Sequence, residues 1–163
     1  MAKSPAVGSA APEFTLPGLV LDGDDTRRQE YSLAAARGNP LVLVFYPGDD
    51  TAVCTKQLCS YTSEIDRFKD LGATVWGISP QGLDSHEGFA RKHRLAFPLL
   101  SDTDRTVVKD YGIALPGLGL RRSVFILDGA GVVRWKHVGL TGLTFQNTDT
   151  LAERLAALRE QST

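Results

Sequence analysis

Residues 41–46 read LVLVFY, six consecutive apolar positions rich in β-formers. A strand with no polar alternation fits a sheet covered on both faces, so the rest of the chain has to supply a layer on either side. Pro47 and Gly48 stop the run. Beyond Thr51 the apolar positions Leu58, Tyr61, Ile65 and Phe68 recur at spacings of three and four, the period of a helix facing a core, and Gly72 ends the pattern.

The same alternation continues downstream. Residues 74–78 read as a second buried strand, 84–94 as a polar helix, 97–100 as a short strand and 104–111 as a helix. Residues 123–127 (SVFIL), a turn at Asp128-Gly129 and residues 132–138 (VVRWKHV) predict a β-hairpin, and 149–160 a closing helix. Near the N-terminus, 14–16 and 27–31 are candidate edge strands. The order predicts an α/β, thioredoxin-like fold: a mixed central β-sheet flanked by helices on both faces. With 163 residues and no repeat, low-complexity tract or long linker, the expectation is one domain over 1–163, large enough to bury a core without a staple.

Charge narrows the function. Eighteen Lys and Arg are interleaved with nineteen Asp and Glu for a net charge of −1, so the basic stripe that nucleic acid or an anionic membrane surface demands is absent. The opening MAKSPAVGSAAPEF has no apolar run of signal-peptide length, and no later segment is long enough to span a bilayer, so a cytoplasmic location is expected. In such a setting two cysteines, Cys54 and Cys59, are more often catalytic, metal-binding or inert than a permanent disulfide.

Cys54 falls where the first central strand hands over to its helix, the end of a sheet at which ligands gather in α/β proteins. It also falls in the first helical turn, where unpaired backbone N–H groups and the positive end of the helix dipole favour a thiolate.

Pro47, Thr51 and Cys54 fit the pattern P-x-x-x-[T/S]-x-x-C. Gly8, Ala11, Pro12, Phe14 and Leu16 fit G-x-x-A-P-x-F-x-L, and Arg122 precedes VFILD. On these motifs the chain resembles the peroxiredoxins, and within them the bacterioferritin comigratory protein (PrxQ) subfamily, over nearly its full length. Two departures are Ala52, where this subfamily often has Pro, and Val124, where many members have Ser or Thr.

The resemblance implies a thiol peroxidase with no cofactor or metal. Cys54 would be the peroxidatic cysteine. The Thr51 hydroxyl would bond peroxide and the Cys54 sulfur, Pro47 would shield the site, and Arg122 would hold the thiolate and stabilise charge developing on oxygen. The sulfenic acid formed on Cys54 would condense with Cys59, the only other thiol in the chain, and a thioredoxin-like dithiol would reduce the disulfide. Five residues on an ideal helix separate Cα atoms by roughly 8 to 9 Å, beyond the limit of about 7 Å for a disulfide, so the helix would have to unwind. A monomer is the expected state, and hydrogen peroxide and organic hydroperoxides the expected substrates.

Other readings compete. A thiol–disulfide oxidoreductase acting on proteins would normally carry C-x-x-C, whereas the spacing here is C-x-x-x-x-C. A peroxide sensor could use the same pair without sustained turnover, and two inert core thiols are the bland alternative. Zinc would need His86, His93 and His137 to converge from distant elements. His86 and His93, seven residues apart on one helix, are expected on a solvated face. Trp76 and Trp135 are expected to pack, and residues 116–119 to form a loop that borders the pocket.

Overall fold

The structure is a computed structural model that describes residues 4–49, 51–115, 119–139 and 146–161. Its first half contains β1 (Thr15–Asp22), β2 (Asp25–Ser32), a 3-10 turn at Ala34–Ala36, β3 (Leu41–Phe45), α1 (Ala52–Ser63), α2 (Ile65–Asp70) and β4 (Thr74–Ser79). There follow α3 (Leu83–His93), β5 (Leu99–Ser101), α4 (Thr106–Asp110), β6 (Ala114–Leu115), β7 (Gly119–Leu120), β8 (Ser123–Leu127), β9 (Val133–Val138) and α5 (Thr148–Gln161).

Seven strands form one sheet in the order β2-β1-β5-β4-β3-β8-β9. The three central strands β5, β4 and β3 are parallel; β1 and β8 flank them antiparallel, and β2 and β9 pair antiparallel in turn with β1 and β8. All five residues of β3 are buried. Val42, Val44 and Tyr46 pack on one face with Leu58 and Tyr61 of α1, Phe68 of α2, Phe89 of α3 and Leu155 of α5. Leu41, Leu43 and Phe45 pack on the other with Trp76, Phe125, and Val107, Val108 and Tyr111 in and just beyond α4. The two-sided covering is therefore the reason the run has no polar position: each of these side chains leaves water, worth about 1.5–3 kcal/mol apiece.

Four expectations change in the structure. The helix expected to run to Gly72 breaks at Glu64 (φ −109°, ψ 17°) into α1 and α2. The run before the break is rich in hydroxyls that compete for backbone carbonyls, and Ser63 Oγ donates to the Ser60 carbonyl at 2.8 Å. Secondly, of the two N-terminal candidates for edge strands β2 alone is one; β1 lies between β2 and β5. Gly18 permits this close packing, because a Cβ there would stand 2.8 Å from the Leu99 carbonyl oxygen and 2.9 Å from the Tyr31 ring. The true edge carries Arg27, Arg28 and Glu30, which discourages further pairing.

Thirdly, His86 is not on a solvated face: it is fully buried. It lies three and four residues before Phe89 and Ala90, both core residues, so the helical period turns it inward. His93 is half-buried with its ring 5.2 Å from that of Phe89. Fourthly, β6 and β7 form a two-stranded ribbon that the sequence reading lacked; residues 116–118 of the expected loop lie outside the described residues. Trp76 packs edge-on against Phe14 and Tyr31, and Trp135 lies under the Arg154 guanidinium, so both are packing residues as expected. Among the described residues no helix is long and apolar enough to cross a membrane.

Candidate active site

The C-terminal end of β3 opens into Pro47, and the chain reaches the N-cap of α1 four residues later. Thr51 is the N-cap of α1 in extended geometry (φ −79°, ψ 150°), and its carbonyl accepts the first helical bond from Thr55 N–H at 2.9 Å. Its hydroxyl makes no cap bond to the helix. Instead it lies 3.3 Å from the Gly48 carbonyl, a long contact that leaves an exposed side chain ready for another partner. Pro47 is half-buried at the same junction.

Cys54 sits in the first turn of α1 and is fully buried. Arg122 approaches it from the neighbouring strand. Ser123 of β8 pairs with Phe45 at the end of β3, so the residue before it falls beside the point where the β3 chain turns toward α1. Arg122 is 2% exposed, and its Nη2 donates to Cys54 Sγ at 2.9 Å. The other arm of the fork, Nη1, donates to Gln57 Oε1. Gln57 Nε2 in turn donates to the Tyr61 hydroxyl at 3.2 Å, and that hydroxyl donates to the Gln146 carbonyl at 2.5 Å. Burial pushes the Tyr61 phenol up to about 12, so it stays a proton donor at neutral pH.

Sulfur, guanidinium, amide and phenol thus form one chain of hydrogen bonds, which fixes the guanidinium plane by both of its arms. Gln57 and Tyr61 were not singled out from the sequence. The spacing held the signal: Gln57 is three residues after Cys54 and four before Tyr61, one face of the helix. A polar side chain on an otherwise buried stripe asks for a partner.

Cys59 is free and half-buried, in the same helix as Cys54. Burial raises its thiol above the ordinary value. Because α1 is helical through both cysteines, the ideal-helix separation of roughly 8 to 9 Å applies to the pair. Among the described residues no three His, Cys, Asp or Glu side chains cluster as metal ligands. A cavity of about 730 Å³ lies at the opposite end of β3, lined by Pro40, Lys69, Leu71, Asp128 and Arg134, and contains none of the residues above. Buried polar chemistry, not cavity size, marks the site.

Residues 7–136 match the model of the AhpC/TSA family. The chain belongs to the AhpC/TSA family. It is 39% identical over 155 residues to the chloroplastic peroxiredoxin Q of Triticum aestivum, an alignment covering 86% of this chain and 66% of that protein. It is 42% identical over 133 residues to the chloroplastic peroxiredoxin Q of Arabidopsis thaliana, covering 78% of this chain and 56% of the relative. The chain therefore spans just under two thirds, or less, of these longer proteins, and the likeness supports a peroxiredoxin of the PrxQ type. Among solved structures, reduced 2-Cys peroxiredoxin of Plasmodium vivax superposes with a TM-score of 0.88 at 22% identity, covering 96% of this chain and 83% of that one. AhpC of Mycobacterium bovis gives 0.88 at 24% identity, covering 99% and 96%. These likenesses show the thioredoxin-like fold.

Set against this peroxiredoxin frame, Cys54 and Arg122 are in direct contact, and Thr51 and Pro47 border the same strand-to-helix junction. Cys59 is only partly buried, packed against the margin of the core that encloses Cys54, Leu58 and Tyr61. It follows that any chemistry joining the two cysteines requires motion within α1.

Proposed function

We propose that this peroxiredoxin is a thiol-dependent peroxidase. The observation that carries the reading is the buried guanidinium of Arg122 with its donor 2.9 Å from the sulfur of Cys54, at a helix N-terminus. A fixed cation and a helix end together favour a thiolate, the form able to attack an O–O bond.

In the proposed cycle the Cys54 thiolate attacks one peroxide oxygen. The S–O bond forms as the O–O bond breaks, and the leaving alkoxide or hydroxide takes a proton to give alcohol or water. Arg122, the Cys54 backbone N–H and the Thr51 hydroxyl would stabilise the charge developing on oxygen. Cys59 then attacks the sulfenic sulfur, forming a Cys54–Cys59 disulfide with loss of water. A dithiol of the thioredoxin type restores both thiols by exchange and leaves oxidised. The balance is one peroxide and one dithiol converted to alcohol, water and one disulfide, with no cofactor. The same reading places the protein in the cytoplasm as a monomer, which fractionation and sedimentation would check.

The deciding experiment is the intact mass of the reduced protein before and after one equivalent of hydrogen peroxide, with peptide mapping. Loss of two hydrogens, mapped to a bond between Cys54 and Cys59, supports the reading. An unchanged mass, or slow scattered oxidation, overturns it.

A further inference from the structure

Beneath the 47–51 loop lies a second buried polar cluster that the peroxidase cycle does not use. Asp49 turns its carboxylate into the protein and collects three donors. The Tyr46 hydroxyl donates to Oδ1 at 2.8 Å, the Ser85 hydroxyl to Oδ2 at 2.7 Å, and His86 Nδ1 lies 2.7 Å from Oδ2. Both side chains of the pair are sealed, with 0% of His86 and 1% of Asp49 exposed. The other ring nitrogen, His86 Nε2, lies 3.0 Å from the carbonyl oxygen of Leu100 in β5.

A backbone carbonyl only accepts, so Nε2 carries the hydrogen that points at Leu100. Nδ1 and Asp49 Oδ2 then share a second hydrogen bond, and the Tyr46 hydroxyl stands 3.4 Å from the same Nδ1. Removing one partner leaves the other buried without its hydrogen bond.

The cluster's position gives it meaning. Asp49 stands midway between Pro47 and Thr51, in the short loop between β3 and α1. It is fastened to three separate elements: β3's end through Tyr46, α3 through Ser85 and His86, and β5 through the Leu100 carbonyl. Among the described residues the Thr51 hydroxyl is held locally by a 3.3 Å contact with the Gly48 carbonyl, so its place depends on where the chain at Gly48 and Asp49 is held. Burial is the largest of the causes that push the Tyr46 phenol well up, so it remains a donor to Asp49.

We infer that the His86–Asp49 pair, completed by Tyr46 and Ser85, is a positioning device that fixes the chain at Asp49 and with it the placing of Thr51 at the N-terminus of α1. The inference rests on the peroxidase reading. His86 touches neither sulfur nor substrate and acts through Asp49.

The test compares two reactions of one sulfur. Reduced full-length protein and the variants His86→Gln, Tyr46→Phe and Ser85→Ala are mixed with hydrogen peroxide, and separately with iodoacetamide, which needs the thiolate but no donor on the loop. Circular dichroism reports folding. A misplaced catalytic group slows reaction by up to about a hundredfold, so the peroxide rate of His86→Gln should fall about tenfold or more while its iodoacetamide rate changes by less than about twofold. Tyr46→Phe and Ser85→Ala should show the same split in smaller measure. Should His86→Gln not fold, these two milder variants decide. Folded variants that match the unmodified protein toward peroxide overturn the inference, as do variants slowed equally toward both reagents, since the effect would then be on the sulfur and not the loop. An unmodified protein that alkylates normally but ignores peroxide overturns the peroxidase reading, and this inference with it.

Discussion

Arg122 brings a permanent positive charge into the interior and sets it against sulfur. At such depth salt and water screen the interaction far less than at the surface. An opposite charge at this range favours an anionic nucleophile. Arg122→Met, which keeps length and apolar bulk but removes the cation, should therefore slow trapping of Cys54 by iodoacetamide at neutral pH several-fold. The peroxide rate should fall further, because charge developing on oxygen loses its support as well. Arg122→Lys should recover part of the alkylation rate. It should recover less of the peroxide rate, since a point charge cannot hold sulfur and Gln57 Oε1 together as the two-armed fork does. The measurement is the rate of both reactions against pH, and an Arg122→Met profile identical to the unmodified one assigns the thiolate to another cation.

Among the elements, α1 is asked by the proposed cycle to do two incompatible things. Folded, it keeps Cys54 beside Arg122. To bring Cys59 to the sulfur it must unwind, and in doing so it takes Gln57 away from both Arg122 and Tyr61. Folded Cys59 is a poor nucleophile, because burial raises its thiol; unwinding returns it to water and toward the ordinary thiol range. The link from Gln57 through Tyr61 to the Gln146 carbonyl thus ties the folded helix to the segment ahead of α5. Tyr61→Phe removes that tie for about 1 kcal/mol, about fivefold in the opening equilibrium. After a single equivalent of peroxide, disulfide formation in this variant should be about fivefold faster, with the sulfenic acid formed at an unchanged rate. Stopped-flow tryptophan fluorescence with acid-quench mass analysis separates the two steps; equal disulfide rates in variant and unmodified protein would mean Tyr61 does not restrain α1.

At the scale of the molecule, the covered run of β3, the hairpin of β8 and β9 and the strand–helix alternation were legible because each is a local periodicity. Arg122, Thr51 and Cys54 were legible because a short motif carries them. The Glu64 break was not, since the apolar spacing of Leu58 to Phe68 runs unbroken across it. Nor was His86, whose partner Asp49 lies on another element and whose seven-residue spacing from His93 suits an exposed face equally well.

What the sequence hides most completely is how far burial changes titration, and the tyrosines expose that to measurement. All four, Tyr31, Tyr46, Tyr61 and Tyr111, are pushed upward, in each case by burial first. A folded state that holds these protons more tightly than the unfolded chain is stabilised at every pH below the ordinary phenol value of about 10, and loses that stabilisation as pH climbs through the folded values. Tyr61, raised from about 10 to about 12, accounts for about 3 kcal/mol of it. The protein should therefore ionise its tyrosines by unfolding. In a titration from pH 8 upward, tyrosinate absorbance at 295 nm should stay low past pH 10 and then rise together with loss of far-ultraviolet ellipticity, more steeply than a one-proton curve. A gradual rise centred near 10, with the ellipticity intact, would mean that the phenols reach water in the folded state and that the two-sided core around β3 is looser than its packing describes.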